Sequence, residues 1–247
     1  MKASLPRAVL FDMDDTLLTD STNADRCWRI CFERFARQLA PLLPETAIAA
    51  IKEHARWYWG DVERHRIGRL DLEAARRTIV AEALLGVGVD DRALAHEIAA
   101  TFSQLRDEAI GLCDGADDVL CRLKQQGVLL ALLTNGGAAA QRRKIERFRL
   151  AAFFDCILIE GEFGVGKPDE QVYRHALDRL GVLPAEAWMV GDNLEWDVAA
   201  PQRLGIVGIW IDHAGAGLPA SNGVRPDRVI RALPELLGGS AEEILTS

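Results

Sequence analysis

Asp12 and Asp14 stand two residues apart, directly after the apolar run Ala8-Val9-Leu10-Phe11. In an extended segment that spacing puts both side chains on one face. Carboxylates held so close repel, and both stay ionised only where something offsets the charge. A divalent cation does this, and hard oxygen ligands suit magnesium. An acidic turn or a helix cap after a strand would use the same residue types, and the segment taken alone fits both readings equally. Three other stretches carry comparable chemistry: Thr134-Asn135-Gly136, Lys167-Pro168, and Gly191-Asp192-Asn193-Leu194-Glu195-Trp196-Asp197.

These residues need elements to hold them. Residues 8–11, 128–133, 156–159, 187–190 and 207–211 are short apolar runs bounded by polar residues, the pattern of buried strands. Helical periodicity fills the intervals. Asp114 offers an N-cap for a helix that stops at Gly127. A basic amphipathic helix runs from Ala138 to about Arg149, with Arg142, Arg143, Lys144 and Arg147 as a solvated face. Residues 162–166 read as a loop, and Pro168 suits the first turn of a helix ending near Leu180. Such alternation predicts an α/β fold with a doubly wound parallel sheet. Asp12, Thr134 and Asp192 would then lie at carboxyl ends of strands, where open sheets assemble their sites.

From Ala24 to about Arg106 the pattern is helical throughout. Cys27, Trp28, Cys31, Phe32 and Phe35 recur at three- and four-residue steps, and Asp71 and Asp90 or Asp91 mark further helix starts. The expected organisation is a core formed by residues 1–20 and 110–247, with an all-helical insert at 21–109. Trp57 and Trp59 are two apart and cannot share one helix face, so at least one leaves the insert's core. Arg64, Arg66 and Arg69 lie nearby, and Arg69 is the candidate for a substrate contact.

Taken together, the four motifs resemble those of the haloacid dehalogenase-like hydrolase superfamily, in that family's order, and the helical insert is similar to its C1-type cap. The resemblance runs from about Ala8 to Ile211 and points to the phosphatase branch. It implies Asp12 as a nucleophile that forms an aspartyl-phosphate, and Asp14 as general acid and then base. It implies Mg2+ bound by Asp12, the backbone carbonyl of Asp14, and Asp192. Thr134 and Asn135 would bind the phosphoryl group, with Lys167 offsetting its charge. Asp197 would orient Lys167 or a metal-bound water, or else simply favour a helix start. Asn193 would contact a metal-bound water or cap that helix. The implied substrate is a small phosphorylated metabolite: a sugar phosphate, a sugar-acid phosphate or a nucleoside monophosphate. A phosphomutase, a haloacid dehalogenase of the same fold and a catalytically silent binding protein are the alternatives.

The net charge of −8 argues against a general nucleic-acid or anionic-membrane binder. No apolar run has the length of a membrane span, and no secretory signal is visible. The five cysteines include no CxxC pair, which fits a reducing, cytoplasmic setting. A monomer or a homodimer is compatible with the sequence.

Overall fold

The computed structural model describes residues 5–20, 23–219 and 223–238. The chain forms two compact units, Met1–Thr19 with Gly111–Ser247, and Asp20–Ile110. Its strands are β1 (Ala8–Phe11), β2 (Leu18–Thr19), β3 (Gly111–Leu112), β4 (Leu129–Thr134), β5 (Cys156–Ile159), β6 (Ala187–Gly191), β7 (Val207–Ile211) and β8 (Arg228–Ile230). All belong to the first unit.

β1 is wholly buried. It pairs in parallel with β4 on one side and β6 on the other. A strand covered on both edges and both faces has no solvent side, which is why its sequence is continuously apolar. The sheet order is β5-β4-β1-β6-β7-β8, parallel throughout. The fold is thus α/β with a parallel sheet, as its alternation predicts. β8 has only three residues, one of them the exposed Val229, too little periodicity to read from sequence. β2 and β3 form a separate antiparallel pair, joining Leu18 to Leu112 and Thr19 to Gly111.

The first unit also holds α6 (Ala116–Gln125), α7 (Ala138–Arg147), α8 (Glu160–Phe163), α9 (Glu170–Leu180) and α10 (Ala200–Arg203), numbered after five helices of the other unit. Three local expectations are corrected. α6 starts after Gly115, whose φ of 74° only glycine adopts without strain, so Asp114 is not its N-cap. Residues 162–166 are not all loop, because Glu160 opens the single turn of α8. Pro168 precedes α9 rather than joining its first turn. Asp169 caps that helix by accepting from the Gln171 N–H at 2.9 Å.

The second unit consists of α1 (Ala24–Leu39), α2 (Pro44–Trp59), α3 (Val62–Gly68), α4 (Leu72–Gly86) and α5 (Arg92–Ala109). Asp61, Asp71 and Asp91 each cap the helix that follows, accepting from backbone N–H groups at 2.8–2.9 Å. The apolar stripes meet in one core, in which Trp28 stacks on Phe102 with ring centroids 3.6 Å apart. Trp59 packs against that core. Trp57 is 56% exposed, with the Arg64 guanidinium 3.8 Å above its ring. Among the described residues no helix is long and apolar enough to cross a membrane.

Candidate active site

In a parallel sheet every strand ends at the same edge. Here β1 is followed by Asp12, β5 by Glu160, β6 by Asp192 and β7 by Asp212, while β4 ends on Thr134. The Asp12 N–H donates to the Val190 carbonyl at 2.9 Å, which continues the β1–β6 pairing into the motif. One oxygen from each of Asp12, Asp192 and Asp197 lies within 4.8 Å of the others. Three hard oxygen donors so converged fit a divalent cation.

Lys167 completes this arrangement. Its Nζ donates to Asp12 Oδ1 at 2.6 Å and to Asp197 Oδ1 at 2.7 Å, with the lysine only 1% exposed. The side chain of Asn135 grips the Lys167 backbone at two points. Nδ2 donates to the lysine carbonyl at 2.7 Å, and Oδ1 accepts from its N–H at 2.8 Å. An anion contact by Asn135 therefore falls to its backbone N–H. Asp197 is fixed by its other oxygen, which accepts from the Asn193 N–H at 3.0 Å. Gly191 makes room for it, since a Cβ there would overlap the Asp197 carboxylate. Asn193 resolves as a helix cap. Its Oδ1 accepts from the Glu195 and Trp196 N–H groups at 3.1 and 3.0 Å, opening a π-helical turn that runs into α10.

The electrostatics follow from crowding. Burial raises the Asp12 carboxyl to about 6; Lys167 opposes the rise and Asp197 adds to it. Asp192 reaches solvent, yet the protein around it strips away enough water to raise its carboxyl to about 8, helped by Asp12, Asp197 and Asp15. Burial alone would lower the Lys167 ammonium, but Asp12 and Asp197 outweigh it and hold the lysine charged. Two carboxyls lifted well above their usual range signal a site short of positive charge.

Asp14 has its own partners. Its Oδ2 accepts from Gln141 Nε2 at 2.8 Å and its Oδ1 from Lys144 Nζ at 2.7 Å. The same Gln141 nitrogen lies 2.6 Å from Thr134 Oγ1. Lys144 thus departs from the solvated face expected of α7, and Arg142 pairs with Glu162 at 2.6 Å. Asp12 and Asp14 bond to different partners, and the chain turns between them and Leu18, with Asp15 at φ 57°. Sequence reasoning passed over Gln141, Lys144 and Glu160. Glu160 is buried and accepts from the Gly136 N–H at 3.0 Å, bracing the loop after β4. A buried polar residue just past an apolar strand was the available signal for it. For Gln141 and Lys144 there was only their i, i+3 spacing.

The structure therefore gathers Asp12, Lys167, Asp192 and Asp197 into one cluster, and Asp14 and Thr134 into an adjoining one linked by Gln141. Arg69 lies in the helical unit, where its N–H donates to the His65 carbonyl at the end of α3 at 3.1 Å. A carboxylate backed by a buried ammonium, beside a cation-ready cluster and a second carboxylate, can perform nucleophilic displacement at an anionic centre.

Comparison with known proteins shows the family. The family model for haloacid dehalogenase-like hydrolases matches residues 6–205. The chain is 32% identical to a phosphoserine phosphatase from Thermus thermophilus, over 96% of this chain and 97% of the relative. It is 30% identical to a glyceraldehyde 3-phosphate phosphatase from Pyrococcus furiosus, over 98% of each. Among solved structures it is similar to a 2-haloacid dehalogenase from Pseudomonas syringae, with a TM-score of 0.61 and 28% identity over 95% of this chain and 99% of that one. The family match spans most of the sequence and includes all four motifs, so the chain belongs to the haloacid dehalogenase-like hydrolases.

Proposed function

We propose that the protein is a magnesium-dependent phosphomonoesterase acting on a small phosphorylated metabolite through an aspartyl-phosphate on Asp12. The observation that carries this reading is the buried Lys167 bridging Asp12 and Asp197 beside Asp192. A carboxylate nucleophile must be ionised and must meet a dianionic phosphoryl group, and both requirements call for fixed positive charge. Lys167 supplies part of it. Magnesium held by Asp12, Asp192 and the Asp14 backbone carbonyl would supply the rest, neutralising the carboxylates and the phosphoryl oxygens.

In this mechanism an oxygen of Asp12 attacks phosphorus. Asp14 gives a proton to the departing oxygen, then takes one from the water that hydrolyses the acyl phosphate. The Thr134 hydroxyl and the backbone N–H groups after it orient the phosphoryl oxygens. Asp197 holds Lys167 in line. The helical unit acts as the cap that selects the substrate, with Arg69 as its candidate contact. Relatives named for phosphoserine and for glyceraldehyde 3-phosphate support a small phosphate monoester. The same reading sets the enzyme in the cytoplasm.

The rival is haloacid dehalogenation, favoured by the similarity to the Pseudomonas syringae structure. That chemistry also attacks through the first aspartate but has no use for an acid at the second position. Asp14, held at both oxygens by Gln141 and Lys144, favours phosphoryl transfer. The test is release of inorganic phosphate from p-nitrophenyl phosphate and from the two metabolites above, with and without chelation. Turnover that chelation abolishes and magnesium restores is expected. Halide release from a short haloacid with no phosphate release would reverse the assignment.

A further inference from the structure

Gln141 is a polar side chain 3% exposed to which the mechanism above gives no task. The two hydrogens of its Nε2 are shared among three oxygens: Thr134 Oγ1 at 2.6 Å, Asp14 Oδ2 at 2.8 Å and the Asn135 carbonyl at 2.9 Å. The carboxylate and the carbonyl can only accept, so the amide must present its nitrogen to them. One turn further along α7, Lys144 Nζ reaches the other oxygen of Asp14 at 2.7 Å. Residues three apart share a helix face, so α7 holds both oxygens of one carboxylate while the same face holds the Thr134 hydroxyl. The partners are 127 and 130 residues away in sequence.

The geometry points to Gln141, seconded by Lys144, as a positioning residue that sets the Asp14 carboxyl relative to the Thr134 hydroxyl. This rests on the phosphomonoesterase reading. An aspartate on a turn after a strand has free rotamers, and a misplaced acid is a poor acid. Two donors on opposite oxygens remove that freedom. In the step served, Asp12 forms its bond to phosphorus and the bond from phosphorus to the ester oxygen breaks. That oxygen takes the electron pair and receives the proton from Asp14. In the return step a water oxygen bonds to phosphorus and gives its proton to Asp14, while the acyl–phosphate bond breaks with its pair returning to Asp12. Tying Thr134 to the same amide couples the seat of the phosphoryl group to the seat of the acid.

A residue that merely braces the loop after β4 would, on removal, harm all substrates alike. One that acts through the acid harms only those whose leaving group needs a proton. The experiment compares kcat/KM, which covers steps up to leaving-group departure, for p-nitrophenyl phosphate and for whichever of phosphoserine and glyceraldehyde 3-phosphate is turned over. The full chain is used with magnesium present. In Gln141→Met and Lys144→Met the alkyl ester should lose about 10- to 100-fold, within the range of general-acid contributions, and the aryl ester less than about threefold. Lys144→Arg, which keeps a cation, should recover most of the alkyl activity. Equal losses on both esters, or no loss on the alkyl ester, overturn the inference. If Gln141→Met fails to fold by circular dichroism, the half-buried Lys144 pair of variants decides alone. Wild-type protein inert toward every phosphate ester would instead defeat the phosphomonoesterase reading, and this inference with it.

Discussion

The helical unit buries Trp28, Phe32, Ile51, Leu84, Ile98 and Phe102, a set without a charge in it. The α/β unit has comparable apolar layers, such as Leu10, Leu133, Tyr173 and Met189, but it also buries Asp12, Thr16, Thr134, Gln141, Glu160, Lys167, Asp197 and Asp212. Every buried polar or charged side chain among the described residues is in that second list, at strand ends, in turns or on helices of that unit. Burying a charge is costly unless it is paired and hydrogen-bonded. Among its described residues the helical unit buries no charge fully: Asp61, Asp71 and Asp91 cap helices, and Asp20 pairs with Arg106 near the surface. The α/β unit accepts the cost at one edge of its sheet, where strained electrostatics serve a reaction.

That contrast can be broken or sharpened by substitution. The largest effect is expected from Asp12→Asn. Phosphate release should fall by more than about a thousandfold, while the melting temperature of the cation-free protein holds or rises, because a carboxyl whose ionisation burial resists has been removed. Retained turnover, or a large fall in melting temperature, would contradict both the role and the trade.

Lys167→Met should cost about 3–5 kcal/mol in urea unfolding, since it leaves carboxylates buried without their cation. Phe32→Ala should cost about the same by opening a cavity in the helical unit. The two separate on acidification. The lysine variant's deficit shrinks once the carboxylates are protonated, whereas the cavity's does not. Deficits that tracked each other with pH would erase the distinction between the units.

Removing the cation gives a smaller and pH-dependent change. Asp12 and Asp192 ionise near 6 and near 8 in the fold, against 3.8 for an ordinary aspartate. The folded state therefore binds more protons than the unfolded one between those limits. The stability this contributes is complete below 3.8 and lost as pH rises through the two raised values. Chelated protein should lose melting temperature from about pH 5 to about pH 8, and the gain on adding magnesium should widen over the same interval. A gain independent of pH would separate these carboxyls from the cation. Least of all, Asp71→Ala should cost about 1 kcal/mol through the lost cap of α4, with phosphate release unaffected. Thermal unfolding and a single activity assay check both halves.

The sheet was largely legible because each of its five longer strands is an apolar run too short for a helix, ending in a polar residue. Asp71 announced its helix in the same direct way, and the pair Asp90–Asp91 announced the next, which Asp91 caps. What could not be read depends on distance in the fold rather than along the chain. Lys144 belongs by sequence to a basic stripe with Arg142, Arg143 and Arg147. Only the closing of the sheet brings it to Asp14. The side-chain amide of Asn135 is engaged by the Lys167 backbone, 32 residues away, which its own sequence neighbours do not announce. Pro168 fitted a helix start by its own preferences, and Asp169 outcompeted it by supplying a cap.

Lys167 also bears on the order of events in the life of the chain. Its ammonium is covalently part of the polypeptide, so Asp12 and Asp197 have a counterion from the moment the strands associate. A carboxylate cluster with a built-in cation asks less of a bound ion in folding than do small domains that stay unfolded until their ion arrives. On the magnesium-dependent reading proposed above, ion loading would then be a late and reversible event. With all three clustered aspartates ionised, the lysine would compensate one negative charge, and the remainder is what a single doubly charged ion would bring.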